Sequence, residues 1–477
     1  MPRDRVVAHA LVRAVSRLFS THWRTSVAMS GDAARTSACA TLLCLSASLA
    51  NAQPPPDMQR ILERLDRIEA QNRELMSEVQ ALRQQLDVVQ PTAAGESAAP
   101  IAERLDVEDH RIAQLDQEKI SSEHKLPITL TGMVLFNSFW TGRGAGGAAN
   151  PTVAALTRGA VDAGGTFRQS VVGIKFDGPT IAGGGKISGS AYVDFFGGTG
   201  GTLNQMLRVR VASVDAAWKN TTLSVALDKP ILAPREPDSL AQVGVSPLTA
   251  AGNLWLWQPQ VRVEQRFAFG DQAGLRAQLG VYQTAETGTG LATEYPAGVA
   301  AARPALQGRF EFWGAGGENR RIEIAPGFHI SNSQVLGQSA PSRIFSVDWL
   351  IRPSSFIDFT GAFFQGENTG VIGGLRQGVS VNHGSVRSVR AAGGWAQIKF
   401  HLTRRATLNF YSGQEDDRNR DLSSSGIAKN QAYAGSFMYR FGSNILSSFE
   451  ASQVRTTYLT SGTRLFPHYD LAIAYLF

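Results

Sequence analysis

The chain has 477 residues, of which 43% are hydrophobic and 48 are glycine, and a formal net charge of +6. It contains no apolar run of about 18 residues or more, which excludes a helical membrane protein and leaves either two or three soluble domains or one large barrel. Removing residues 1–52 takes six basic and two acidic residues with it and leaves a net charge near +2, so the apparent basicity belongs mostly to the N-terminus and no nucleic-acid partner is expected.

Residues 1–52 read as an export signal. Arg35 precedes the apolar stretch Ala38 to Leu49, and Ala50-Asn51-Ala52 follows as a small-residue cleavage site. Met1 and Met29 are alternative starts. Cys39 and Cys44 both fall inside this segment. The processed chain therefore has no disulfide, no thiol chemistry and no thiolate metal site. No cofactor and no metal site are expected, because no histidines pair at helical or strand spacing.

Residues 57–90 carry a heptad. Met58, Leu65, Asn72, Val79 and Leu86 occupy position a, and Ile61, Ile68, Leu75, Leu82 and Val89 occupy d. Apolar residues sustained at a 3.5-residue period drive helices to bury a narrow seam against one another. The seam residues Ile61, Leu65, Ile68, Leu75, Val79, Leu82 and Leu86 are the expected oligomerisation contacts, with the polar Asn72 fixing register. β-Branched residues at both a and d are compatible with a trimer. Residues 91–125 form a linker and a short helix: Pro91 to Pro100 is rich in small residues, and Ile101, Leu105, Ile112 and Leu115 then share one side.

From residue 126 to 477 the pattern changes to period-2 alternation punctuated by Gly, Pro and Asn, which predicts an all-β fold. Sixteen strands are expected, from 127–140 through 166–177, 258–268 and 342–352 to 467–477. Tight turns at Asn220-Thr221, Gly270-Asp271, Pro353-Ser354, Arg404 and Gly442-Ser443 alternate with long loops at 141–165, 230–257, 284–306, 365–388 and 414–429. An even strand count with short turns on one side and long loops on the other is the signature of a 16-stranded antiparallel transmembrane β-barrel. The last strand shows the pattern plainly. Tyr469, Leu471, Ile473, Tyr475 and Phe477 share one face, while His468, Asp470, Ala472, Ala474 and Leu476 share the other. In outer-membrane barrels a terminal strand of this kind, here with Tyr475 and Phe477, is an assembly signal for the barrel-assembly machinery. The same alternation puts Ile357, Phe359 and Phe363, and likewise Tyr433, Phe437, Tyr439 and Phe441, toward lipid. A barrel of this size encloses water rather than a side-chain core, and is thus a diffusion path.

Pro230 to Trp257 is too apolar for a free external loop, and is expected to fold inward and narrow the lumen, with Arg235 and Glu236 near its tip. Arg208 and Arg210, then Arg262, Glu264 and Arg266, then Arg276 lie in phase on neighbouring strands. An Arg facing lipid costs about 2–4 kcal/mol near the midplane, so these residues should face the lumen. They either set a preference for anions or form an Arg–carboxylate lattice that stiffens the wall. A barrel enzyme is one alternative, with Ser331 beside His329 and Ser385 beside His383, but no strained nucleophile turn supports it. A structural or adhesive protein tethered through the coiled coil is another. Gly183-Gly184-Gly185-Lys186 has Ile187 where a phosphate loop needs Ser or Thr, and reads as a turn. Asp416, Asp417 and Asp421 read as a solvated loop.

The layout of leader, coiled coil, linker and barrel resembles the DcaP-like trimeric porins and, more broadly, the phosphate-selective porins. Leu130-Thr131-Gly132-Met133-Val134-Leu135-Phe136-Asn137 carries the likeness at the first strand. Leu232-Ala233-Pro234, Ser239-Leu240-Ala241, Gly252-Asn253-Leu254-Trp255 and Pro259-Gln260-Val261-Arg262 carry it in and after the long loop. The resemblance implies a homotrimer in the outer membrane of a Gram-negative bacterium, with a periplasmic coiled coil, and passive uptake of small, often anionic solutes. Arg235 and Arg262 would be constriction residues. The run of lysines that phosphate-specific members place in the pore is missing here.

Overall fold

The computed structural model describes residues 128–148, 150–197, 205–284, 299–316 and 320–477. The predicted leader, the coiled-coil residues and the linker with its short helix lie outside them. Sixteen barrel strands, numbered here in chain order, make one antiparallel sheet. They are β1 (Ile128–Thr141), β2 (in two pieces, Asp162–Thr166 and Val171–Ile181), β3 (Gly185–Gly197), β4 (Met206–Ala217), β5 (Thr221–Asp228) and β6 (Gln258–Ala268). Then come β7 (Ala273–Tyr282), β8 (Val299–Ala315), β9 (Arg321–Val335), β10 (Gln338–Ser354) and β11 (Ile357–Glu367). The rest are β12 (Arg390–His401), β13 (Ala406–Asp417), β14 (Ile427–Phe441), β15 (Ile445–Tyr458) and β16 (Gly462–Leu476). Each strand pairs with its neighbour in sequence, and β16 returns to pair with β1 from Met133↔Leu476 to Thr141↔His468. Closure leaves the sheet without an edge, so every strand finds a ladder partner on both sides.

The alternation read from the sequence matches the two faces of the wall. On β16, Tyr469, Leu471, Ile473 and Tyr475 are between 44% and 52% exposed, while Ala472 and Ala474 are fully covered from inside. On β9 the outward column is Ile322, Ile324, Pro326, Phe328 and Ile330, and the residues between them face inward. An exposed apolar belt around a closed sheet is stable against hydrocarbon, so the strands span a bilayer.

At one end all seven connections are short, from 182–184 to 442–444. The first of them turns on Gly183 and Gly184 at φ 74° and 71°, a backbone that side-chain-bearing residues rarely adopt. The run of glycines before Lys186 is thus a hairpin turn. The opposite end carries the long connections 142–161, 229–257 and 368–389, but two of its turns are tight, at 336–337 and 459–461. Leu336 and Gly337 both have positive φ (53° and 74°), the two-residue turn whose twist matches the strands. β10 therefore begins at Gln338, several residues before the expected 342, and β9 runs on to Val335. The expected loops 284–306 and 414–429 are likewise shorter, because β8 already begins at Val299, β13 ends at Asp417 and β14 begins at Ile427. The cause is the same in each case. Beyond the lipid belt the ladder continues with polar residues, as at 331–334 and 414–417, or with small ones, as at 300–302, and alternation of hydrophobicity no longer marks it.

Candidate functional site

Inward-facing charges gather in two clusters of different balance. The first joins β6 to β10. Arg309 is fully buried and donates to Asp348 from Nε (2.7 Å) and Nη2 (2.8 Å) and to Glu311 from Nη2 (2.7 Å). Arg276 donates to Glu311 at 2.6 Å, and Arg266 to Glu264 at 2.8 Å. Arg321 pairs with Glu323. Arg235, reaching over from the segment between β5 and β6, donates to Asp348 at 2.7 Å and also engages Glu311 and Glu323. Nearby, Arg262 is paired with Asp228 at 2.9 Å. Positive charge is largely matched by carboxylate here. Such a lattice holds the wall stiff and leaves little net field.

The second cluster is not balanced. Arg208 and Arg210 on β4 both engage Asp194 on β3, Arg168 lies beside them at the break in β2, and the other carboxylate near Arg210, Glu236, is already paired with Lys229. Arg208 donates to both of its oxygens (3.1 and 2.6 Å), and Arg210 lies 3.6 Å from it. The three guanidiniums alternate with aromatic rings: Arg168 over Phe196 (4.5 Å), Arg208 between Phe196 (5.4 Å) and Trp257 (5.0 Å), and Arg210 over Trp257 (4.7 Å). Stacking of this kind offsets part of the repulsion among like charges. Arg168 Nε and Arg210 Nη1 are buried without a hydrogen-bond partner.

The segment Pro230–Trp257 is anchored to inward-facing side chains of many strands. Ile231 N donates to Tyr282 Oη and Gln307 Oε1, both at 2.9 Å, and Ser346 Oγ donates to Leu232 O at 2.9 Å. Asp238 N donates to Gln397 Oε1 (2.7 Å), Ser239 Oγ to Glu450 (2.7 Å), Asn137 Nδ2 to Leu240 O (2.8 Å) and Asn430 Nδ2 to Ala250 O (2.8 Å). Glu236 is paired with Lys229 at 2.6 Å and accepts from Ser246. Leu240 and Val243 pack with Leu135, Ala472 and Ala474, and Leu232 and Leu254 pack with Ile344 and Phe364.

Gln169, in the break of β2, is the hub of this anchoring. Its Nε2 donates to Asn137 Oδ1 (3.0 Å) and Ala241 O (2.9 Å), and its Oε1 accepts from Val243 N (2.7 Å) and Gly244 N (2.8 Å). The break itself costs no ladder bond at β1, because Ser170 Oγ accepts from Leu135 N (2.9 Å) and donates to Leu135 O (3.2 Å). A second segment, beginning at Asn368, packs on the first. Val371 and Ile372 are fully buried, Gln258 Nε2 donates to Val371 O (2.7 Å), and Leu256 N donates to Ile372 O (3.3 Å). Thr369 Oγ1 and Leu375 N hold it to Glu415 at 2.8 and 3.0 Å.

All eight sequence-predicted lumen residues thus lie on the inward side or in the segment facing it, but the six arginines and Glu264 divide between a neutral lattice and a positive cluster, and Glu236 is paired with Lys229. Arg168, Gln169, Arg309, Glu311, Glu323 and Asp348 were missed. The last four stand at period-2 spacing with inward neighbours, a signal the strand reading contained. The first two sit where the strand breaks, and no periodicity marks them. Tyr475 is outward, and Phe477 exchanges backbone hydrogen bonds with Gly132 at 2.8 and 3.1 Å. His329 Nε2 and Ser331 Oγ are hydrogen-bonded at 3.0 Å, but the two residues are 0% and 2% exposed, closed to any substrate. Asp416 is paired with Lys429 at 2.6 Å, and Asp417 accepts from Gln377 at 2.7 Å; both lie on β13 rather than in a solvated loop.

Among solved structures, the chain is similar to the outer membrane channel DcaP of Acinetobacter baumannii, at 16% identity over 75% of this chain and 99% of that one, with a TM-score of 0.61. It is also similar to an anion-selective porin from Comamonas acidovorans, at 10% identity over 73% and 99% of the two chains, with a TM-score of 0.49. The likeness to DcaP is one of fold, and extends over the barrel. No family model and no curated protein matches the chain.

Proposed function

We propose that the protein is an outer-membrane porin, a passive channel for small hydrophilic solutes that favours anions, and that it works as a homotrimer joined by its N-terminal coiled coil. One observation carries the reading: a closed sheet of sixteen strands, apolar outside, with arginines and carboxylates on its inner face. A barrel of this size keeps an aqueous lumen. Segment 230–257, with the segment that begins at Asn368 packed on it, narrows that lumen. The anion preference rests on Arg168, Arg208 and Arg210, which with Lys229 outnumber the nearby carboxylates Asp194 and Glu236. Arg235 and Arg262 act mainly as lattice members, since carboxylates take up their charge.

Planar-bilayer recordings of refolded protein test this. Open-channel conductance with a reversal potential on the anion side is expected. The double variant Arg208→Ser, Arg210→Ser should move the reversal potential toward cations by the loss of two lumen charges. A closed barrel with no conductance overturns the channel reading. An unchanged reversal potential in the double variant overturns the assignment of selectivity to this cluster.

A further inference from the structure

The outward belt is not uniform. Where β9 presents five apolar residues in a column, β12 presents only Ile398 and Phe400, and β13 only Leu408 and Phe410. Toward the long-loop end the outward residues become small or polar. Register sets Gly361 beside Ala396 and Ser412, and Phe363 beside Gly394 and Gln414. The Trp349 ring lies across Gly361, where an added Cβ would come within 2.3 Å of it. Trp349, Phe363, Gly394, Ala396, Ser412 and Gln414 line an open groove of about 1150 Å³ down the outside of the barrel. Gln414 and Gln431, hydrogen-bonded to each other at 2.9 Å, cross its upper part.

The rim above the groove is basic. Arg343, Arg390 and Arg418 line it, all exposed, and among the described residues none of the three forms an ion pair. Lys429 and Arg455 stand on the next two strands. Glu367 sits between Arg343 and Arg390 in register, and Asp416 is taken by Lys429. Five cations against two carboxylates leave the rim positive. A trench of small residues beneath unpaired guanidiniums suits a molecule with an anionic oxygen-rich head and a hydrocarbon tail. The mixed rungs between them, amide side chains over glycine and alanine, suit the carbonyl- and hydroxyl-bearing zone where such a head joins its chains.

We propose that this groove binds a phosphorylated, acylated lipid of the outward leaflet, its phosphate on Arg343, Arg390 and Arg418 and an acyl chain along Ala392, Gly394 and Ala396. The proposal rests on the outer-membrane reading for the direction in which the long loops point. The alternative occupant, a second copy of the chain, is an outcome of the test.

Native mass spectrometry of the refolded full chain with purified lipid A, against diacylglycerol as a control that has acyl chains but no phosphate, decides it. One lipid A per chain is expected, with binding about tenfold weaker for each arginine removed in Arg343→Ser and Arg390→Ser. Ala396→Phe, which fills the trench and leaves the rim intact, should also weaken it. Equal binding of both lipids, or lipid A binding unaffected by all three variants, overturns the proposal. Loss of self-association in the arginine variants with no lipid adduct on the wild type overturns it in favour of a second copy. Conductance of the same samples separates this result from the channel reading: an adduct without conductance sinks the channel and keeps the groove.

Discussion

Gln169 illustrates how one side chain couples wall to insert. Its amide makes four hydrogen bonds, three of them to backbone groups of residues 241–244. Gln169→Ala removes them all at once and leaves buried donors and acceptors unmatched, at about 1–3 kcal/mol for each group that water does not reach. The expected outcome is a barrel that still resists denaturant but whose segment 230–257 becomes open to limited proteolysis, with larger single-channel conductance. Unchanged protease resistance would show that the remaining anchors suffice. Arg235 makes the opposite kind of test. Arg235→Ala strips a guanidinium from three buried carboxylates, and breaking such a group costs about 3–5 kcal/mol. Its effect should therefore appear in thermal unfolding and in noise on the open-channel current, with little change in anion preference.

Elements, more than residues, were legible from sequence. β6 was read at its observed limits and the other strands within a few residues, except where ladders continue past the lipid belt. The reason is physical: inside the belt one face meets hydrocarbon and the other meets water, so period-2 contrast is forced on every strand. β8 and β9 lose that contrast toward Val299 and Val335: small residues and Pro304 fill the start of β8, Ser331 to Gln334 are polar on both faces, and Val335 is buried under Val379 rather than turned to lipid, so the sequence stops reporting them. Apolar content marked 230–257 as something other than a free loop. It did not mark the segment starting at Asn368, whose anchors Glu415 and Asp417 look like solvated acids in the sequence. That segment gives a prediction at its own scale. Glu415→Ala frees Thr369 Oγ1 and Leu375 N together, and should raise hydrogen exchange over residues 368–378 while leaving β11 and β12 protected. Exchange unchanged there would mean that Val371 and Ile372 hold the segment by packing alone.

For the whole molecule, closure and the outward belt act together. Leu471 is outward and half exposed, and its neighbour Ala472 is inward and fully covered. Leu471→Arg should cost about 2–4 kcal/mol in a bilayer and abolish heat-resistant migration in mild detergent gels. Ala472→Ser should have little effect on that migration. Equal damage from both would contradict the sidedness of β16.

The anchoring of residues 230–257 also bears on the order of events during folding. Their partners are far away in the chain: Leu240 is 103 positions from Asn137, Ala250 is 180 from Asn430, and Ser239 is 211 from Glu450. Contacts so distant in sequence form slowly, since the loop between them must first be closed. Because the segment is bonded to both early and late strands, its contacts cannot all form before β14 and β15 arrive. Refolding should therefore show two kinetic phases, sheet closure and a later consolidation of the insert, and Gln169→Ala should remove the slower one.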